Sequence, residues 1–350
     1  MRAASIAILA LMLASNAAAA PNPDYLVNRA ALLVQRGELD AARADLDEAI
    51  RFAPSLAVAY NNRAAIHEKQ GRPQAAMSDL DEAIRLDPKL ASAHMNRGNI
   101  FLNAGDPERA VADYRQALAL NPRHVWTLVN LAVAESKLGR HDEALAHLDH
   151  AFRLKKDPAI LHRRGHVLIE KGEPQAALEP LTRAIGMLRS YGKAYATRGD
   201  AHLDLHDFSR AVGDYQKAVD LGEENAELLN GLCWSRTLAG EGLELARPAC
   251  DRALALQADS PDILSSRAHL LLRLAASEEA LADAERALAL APDHLDSLLL
   301  RGVARLRLGR SAEGQADIAR ALSLDPKLHD IYAKGGLAED LRPFAPASSP

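Results

Sequence analysis

A 34-residue period governs this chain of 350 residues. An alanine followed by Ile, Leu, Val or Phe recurs at 49, 83, 117, 151, 184, 218, 253, 287 and 321, at intervals of 33 to 35 residues. Nineteen residues before most of these stands another small residue: Ala30, Ala64, Gly98, Ala132, Gly165, Gly199, Ala268 and Gly302. In the seventh unit Cys233 holds that place, one residue further back. A fixed period of this length means that one supersecondary unit is stacked on copies of itself, since a lone unit cannot bury its apolar face. Nine units occupy about residues 23–328.

Each unit reads as two helices. Seven units carry a glycine seven residues after the small position (Gly37, Gly71, Gly105, Gly139, Gly172, Gly240 and Gly309), where left-handed backbone stops a helix. Pro73, Pro107 and Pro174 follow near the start of the second helix, where a missing N–H costs nothing. Asp157-Pro158 and Ser260-Pro261 read as helix caps followed by a first-turn proline. The composition agrees. The chain is 48% hydrophobic with only 4% aromatic residues, an Ala/Leu profile that favours helix over a large β-sandwich or barrel.

The period and its pattern of small residue, Gly, Ala and Pro resemble the tetratricopeptide repeat (TPR) family. The stretch from Ala59-Tyr-Asn-Asn-Arg-Ala64 to Ala83-Ile-Arg-Leu-Asp-Pro88 follows that family's consensus. The resemblance implies an all-α, right-handed superhelical solenoid of about nine antiparallel helix pairs. The first helices would line a concave groove that takes protein or peptide partners.

With the small residue numbered position 8, position 7 is Arg in seven units, and position 23 is Asp in six of those seven. Antiparallel geometry about a turn near position 16 makes 7 and 23 neighbours. Six ion pairs are therefore expected: Arg29–Asp45, Arg63–Asp79, Arg97–Asp113, Arg198–Asp214, Arg267–Asp283 and Arg301–Asp317. The same geometry brings Cys233 (position 8) opposite Cys250 (position 24) and predicts a disulfide, against the alternative of two buried thiols. Pro180 and Pro248 lie inside second helices and are expected to kink them. An extra residue near Gly240-Glu241-Gly242 predicts local irregularity.

On the groove face, by analogy with the family, stand Asn62, Asn96, Asn99, Trp126, Asn130, His162, His166, Asp200 and Trp234, centred on units three to seven. Asn28, Asn62, Asn96 and Asn130 recur at position 6, either to bind an extended peptide or to bond neighbouring helices. Trp126 and Trp234 serve either as binding anchors or as packing between first helices. His162 and His166, i and i+4, followed by Glu170 and flanked by Asp200 and Asp204, suggest an alternative: a metal- or ligand-binding carrier. No third ligand is fixed by the spacing, and no metal or cofactor is assigned. Nucleophile–base motifs, nucleotide loops and Cys-x-x-Cys are missing from the sequence, so an enzyme is not expected. The formal net charge of −5 disfavours nucleic acid as a partner.

Met1-Arg2, the apolar run from Ala3 to Ala14 and the small residues Ala17 to Ala20 read as a cleaved secretory signal peptide over residues 1–20. The apolar run is too short to span a bilayer. This predicts a periplasmic or secreted protein in an oxidising setting, possessing no transmembrane segment after cleavage. Residues 329–350 are expected to form a short capping helix, beginning near Lys327, and then a disordered tail from about 335.

Overall fold

The computed structural model describes residues 22–240 and 242–345; the predicted signal peptide lies outside the described residues. The described chain is helical and without strands, and it divides into two bodies, residues 1–156 and 157–350. The first body holds four hairpins: α1 (Pro23–Gln35) with α2 (Leu39–Phe52), α3 (Ala57–Lys69) with α4 (Pro73–Leu86), α5 (Ala91–Asn103) with α6 (Pro107–Leu120), and α7 (Val125–Lys137) with α8 (His141–Leu154). The second holds five: α9 (Pro158–Glu170) with α10 (Pro174–Met187), α11 (Gly192–Asp204) with α12 (Phe208–Asp220), α13 (Ala226–Ala239) with α14 (Leu243–Leu256), α15 (Pro261–Arg273) with α16 (Ser277–Leu290), and α17 (Leu295–Arg307) with α18 (Ser311–Leu324). Every first helix begins at position 1 of its repeat, so the fold follows the sequence period repeat by repeat.

The seven turn glycines all take positive φ, between 70° and 82°. In repeats six and eight, which lack the glycine, His206 (φ 58°) and Ala275 (φ 60°) adopt the same left-handed turn and carry its steric cost. Asp157 accepts from the Ala159 N–H and Ser260 from the Ile263 N–H, as caps do. Helices α10 and α14 run unbroken past Pro180 and Pro248, so a lost backbone hydrogen bond does not interrupt either helix. Gly240 and Gly242 both have positive φ, and Glu241 lies outside the described residues.

Where position 8 is glycine, it packs directly on the position 24 side chain: Gly98 on Tyr114, Gly165 on Leu181, Gly199 on Tyr215 and Gly302 on Ile318. Both buried tyrosines at position 24, Tyr114 and Tyr215, face glycine: a methyl on Gly98 would lie 2.8 Å from the Tyr114 ring, and one on Gly199 would lie 2.9 Å from Tyr215. Leu46 shares a buried cluster with Ala30, and Leu80 with Ala64; Leu148 and Ala132 are buried too. In repeat seven the pair is covalent: Cys233 and Cys250 are bonded, with Cα atoms 5.3 Å apart.

After α18 the chain does not become a disordered tail. It continues as α19 (Lys327–Tyr332), a π-helical turn (Ala333–Leu337), α20 (Ala338–Leu341) and a 3₁₀ turn (Arg342–Phe344). The expected tail is thus corrected through residue 345; residues 346–350 lie outside the described residues. Tyr332, Leu337 and Leu341 are buried against the core of the last repeats.

Candidate functional site: the first-helix faces

The position 7 arginines form the frame of each face. All six expected pairs are bidentate within their own repeats: Nε and one terminal nitrogen of each Arg donate to the two carboxylate oxygens, at 2.5–2.9 Å. The aspartates are buried and the arginines partly exposed; in repeat nine Arg305 adds a second bond to Asp317 at 2.8 Å, and His67, His94 and His202 stand 3.5–3.8 Å from Asp79, Asp113 and Asp214. Three arginines use their other terminal nitrogen to reach the preceding repeat: Arg63 to Asp47 at 2.7 Å, Arg97 to Asp81 at 2.8 Å and Arg267 to Asp251 at 2.9 Å. Arg198 makes the same reach to the Thr182 hydroxyl at 3.0 Å. Sequence reasoning missed these inter-repeat bonds, although Asp recurs at position 25 (Asp47, Asp81, Asp251) where it could be read. In repeat five Pro180 holds the Asp position, and Arg164 stands 3.8 Å from Glu179 instead.

Repeat four inverts the polarity. Its position 7 is Leu131, its buried acid Glu135 sits on the first helix, and the position 23 residue is His147, whose Nε2 is 3.4 Å from Glu135. Arg115 from repeat three donates to the other Glu135 oxygen at 3.1 Å. Arginine at position 25 of one repeat is matched by an acid in the next, the reverse of the arrangement in the other repeats.

The asparagines bond to one another. Asn96 donates to Asn61 (3.0 Å), Asn61 to Asn62 (3.2 Å), and Asn130 to Asn99 (2.9 Å); Asn99 also accepts from the Tyr114 hydroxyl at 2.8 Å. The Asn side chains therefore tie α3, α5 and α7 together, and of the two sequence readings the inter-helix one describes these contacts. Asn28 is exposed on α1. Trp126, at the start of α7, is 43% exposed, with the Lys155 ammonium 5.0 Å from its ring centre.

In the second body the expected His/Asp cluster comes apart. His162 is buried, with Nε2 3.0 Å from the Thr197 hydroxyl and Nδ1 3.2 Å from the Tyr191 hydroxyl. Burial, reinforced by the Arg163 charge, pushes its pKa down to about 4. Both ring nitrogens serve packing, which leaves none for a metal. His166 is exposed and lies 3.5 Å from Glu170, while Asp200 accepts from the Tyr215 hydroxyl at 2.7 Å. No group of three potential metal ligands gathers among the described residues. Trp234 is not an open anchor. It packs against His269 and Tyr332, with ring centres 5.3 and 5.7 Å away.

Among the described residues no helix is long and apolar enough to cross a membrane. Tetratricopeptide and TPR repeat family models match residues 30–71, 57–90, 89–157, 162–225, 196–262 and 266–329. A serine/threonine-protein phosphatase T of Trypanosoma brucei brucei is 31% identical over 77 residues, and the heat shock protein STI1 of Saccharomyces cerevisiae is 31% identical over 90 residues. Those matches take in 22% and 24% of this chain but only 16% and 15% of the relatives' lengths. Among solved structures, the Cut9–Hcn1 hetero-tetramer of the APC/C is similar with a TM-score of 0.61 at 17% identity, over 80% of this chain and 55% of that one. PilF of Pseudomonas aeruginosa is similar with a TM-score of 0.53 at 21% identity, over 61% of this chain and 96% of that one. At such identities these likenesses concern the fold alone. The repeat matches along both bodies, the helical hairpins and the ladder of matched positions together place this chain in the tetratricopeptide repeat family.

Proposed function

We propose that the chain is an exported, non-catalytic scaffold that binds a protein or peptide segment on the first-helix face of its first body. The observation that carries this reading is Trp126. It stands 43% exposed on α7, the helix that also carries Asn130. Large aromatics that lose water on binding supply a disproportionate share of binding energy. Export is supported by the signal-like residues 1–20, and an oxidising compartment by the Cys233–Cys250 bond. Envelope assembly is the kind of process such a scaffold would serve there.

A photo-crosslinking residue at Asn130, compared with one at Arg43 on a second helix, tests where partners bind. The Asn130 site should capture a discrete partner and the Arg43 site should not. Trp126→Ala should then weaken the captured partner's binding by about 2 kcal/mol, with the melting curve unchanged. Unaltered affinity in a folded variant removes the binding site from this face.

A further inference from the structure

The segment after repeat nine lies on the first helices, not merely behind the last one. Tyr332 donates its hydroxyl to Asp296 at position 2 of repeat nine, at 2.7 Å. The Gly335 carbonyl accepts from His269 Nε2, at position 9 of repeat eight, at 2.9 Å. Asp340 takes two bonds from Arg307 at position 13 of repeat nine, at 2.9 and 2.6 Å. The tyrosine ring completes a cluster with Trp234, at position 9 of repeat seven, and His269.

The fit requires two glycines. A Cβ on Gly335 would lie 2.8 Å from the His269 ring and 2.9 Å from Leu238. Gly336 has φ +96°, and Arg273 fills the space its side chain would take. Arg273 and Arg307 are themselves fixed by carbonyls of the preceding first helices, Thr237 and Leu272. The receptor side is likewise specialised. Positions 9 and 13 are Trp234 and Leu238, His269 and Arg273, Val303 and Arg307 in repeats seven to nine, whereas repeats five and six carry His166 and Glu170, Asp200 and Asp204.

We propose that the first-helix face of repeats seven to nine is a peptide-binding site occupied in cis by the chain's own segment Lys327–Phe344. The site recognises a tyrosine hydroxyl, a Gly-Gly turn, and a short helix bearing Leu337, Asp340 and Leu341. The segment can leave without unfolding the repeats, and the vacated face takes a segment of the same chemistry. This rests on the reading of first-helix faces as binding surfaces but concerns a different body and ligand. Its failure leaves the Trp126 experiment untouched, and the reverse holds as well.

The test uses the intact chain, a chain ending at Pro326, and a fluorescein-labelled peptide of residues 327–344. In the intact chain, amides of 328–341 should exchange with deuterium at least tenfold faster than those of α15 and α17. The shortened chain should keep its helicity and bind the peptide saturably by anisotropy. The intact chain should bind it at least about 20-fold more weakly, because its tethered segment competes at high effective concentration. A peptide carrying Leu337→Asp and Leu341→Asp should not bind. Equal protection of the segment and the repeats overturns the proposal and makes the segment a structural cap. So does a shortened chain that folds without binding the peptide, or one in which repeats seven to nine unfold.

Discussion

Removing one carboxylate from the Arg63 fork separates the cohesion within a repeat from the cohesion between repeats. Asp79 is 9% exposed at its side chain and takes two bonds from Arg63, at 2.8 and 2.6 Å. Asp47, in the preceding repeat, is 52% exposed and takes one, at 2.7 Å. Losing one partner of a buried pair costs about 3–5 kcal/mol, because the remaining charge stays desolvated. The Arg63 side chain is 21% exposed and keeps Asp47, so water and the second acid recover part of that. Asp79→Ala should therefore cost about 2–3 kcal/mol. Asp47→Ala, which loses an exposed partner, should cost about 0–0.5 kcal/mol in repeat two. A double-mutant cycle of Arg63→Met with each Asp→Ala isolates the two couplings. Nine repeats in two bodies need not unfold in one step, so the readout is urea-dependent hydrogen exchange of α3 and α4 amides. If the two aspartates cost the same, the hairpin pair is no stronger than a surface ion pair and the burial argument fails.

Reduction of Cys233–Cys250, which closes a loop of 17 residues, should destabilise repeat seven by about 3 kcal/mol; urea curves with and without reductant that coincide would refute it. Ala275→Gly, which relieves a left-handed alanine at φ 60°, should stabilise repeat eight by about 0.5–1 kcal/mol after the entropy of the added glycine is charged. The same change at Ala291, where the backbone is ordinary, should not, and equal effects on thermal unfolding would remove the explanation. Stability of the second body should fall as pH drops from 8 to 5. His162 and His269 are held neutral by burial, with pKa values near 4 and 3, against about 6.5 unfolded, so the unfolded chain takes up protons first. Each contributes about 2 kcal/mol of loss by pH 5. Facing His162 are Tyr191 and Thr197, with the charges of Arg163, His166 and Lys193 adding to its low pKa. Around His269 stand Trp234, Tyr332 and Gly335, with the charges of Arg273 and Arg307. His162→Gln should reduce the pH slope, to which the buried His202 also contributes, and an unchanged slope counts against the assignment.

The hairpin contacts were legible because a period fixes register: once position 8 is found, 7 facing 23 and 8 facing 24 follow from antiparallel geometry alone. Arg29–Asp45 and Cys233–Cys250 are both read this way. Contacts between repeats need the angle at which one hairpin stacks on the next, which spacing does not supply, and Arg63–Asp47 was missed for that reason. Trp234 and His162 were placed on the correct helices, but Trp234 is covered by Tyr332 of α19, an element outside the period, and His162 by Tyr191 and Thr197 of the next repeat, whose stacking angle spacing does not supply. The segment after repeat nine carries Gly335, Gly336 and Pro343, residues that locally oppose helix. Only its fit to side chains 60 and more residues earlier, such as Gly335 on His269, turns those glycines from breakers into requirements.

The Arg115–Glu135–His147 cluster has a consequence for how such a chain can be rearranged. A repeat with aspartate at position 25 suits a successor with arginine at position 7, whereas repeat three, with Arg115, suits a successor with a buried acid and Leu131 instead. Transposing repeats two and three would set Arg115 against Arg63, a like-charge contact, and leave Glu135 without its arginine, an unpaired buried acid. The units share one backbone but are not interchangeable bricks. Their charges act as keyed joints that write the order of assembly into the stack, and whole-repeat duplication or shuffling would be tolerated only at joints whose keys match.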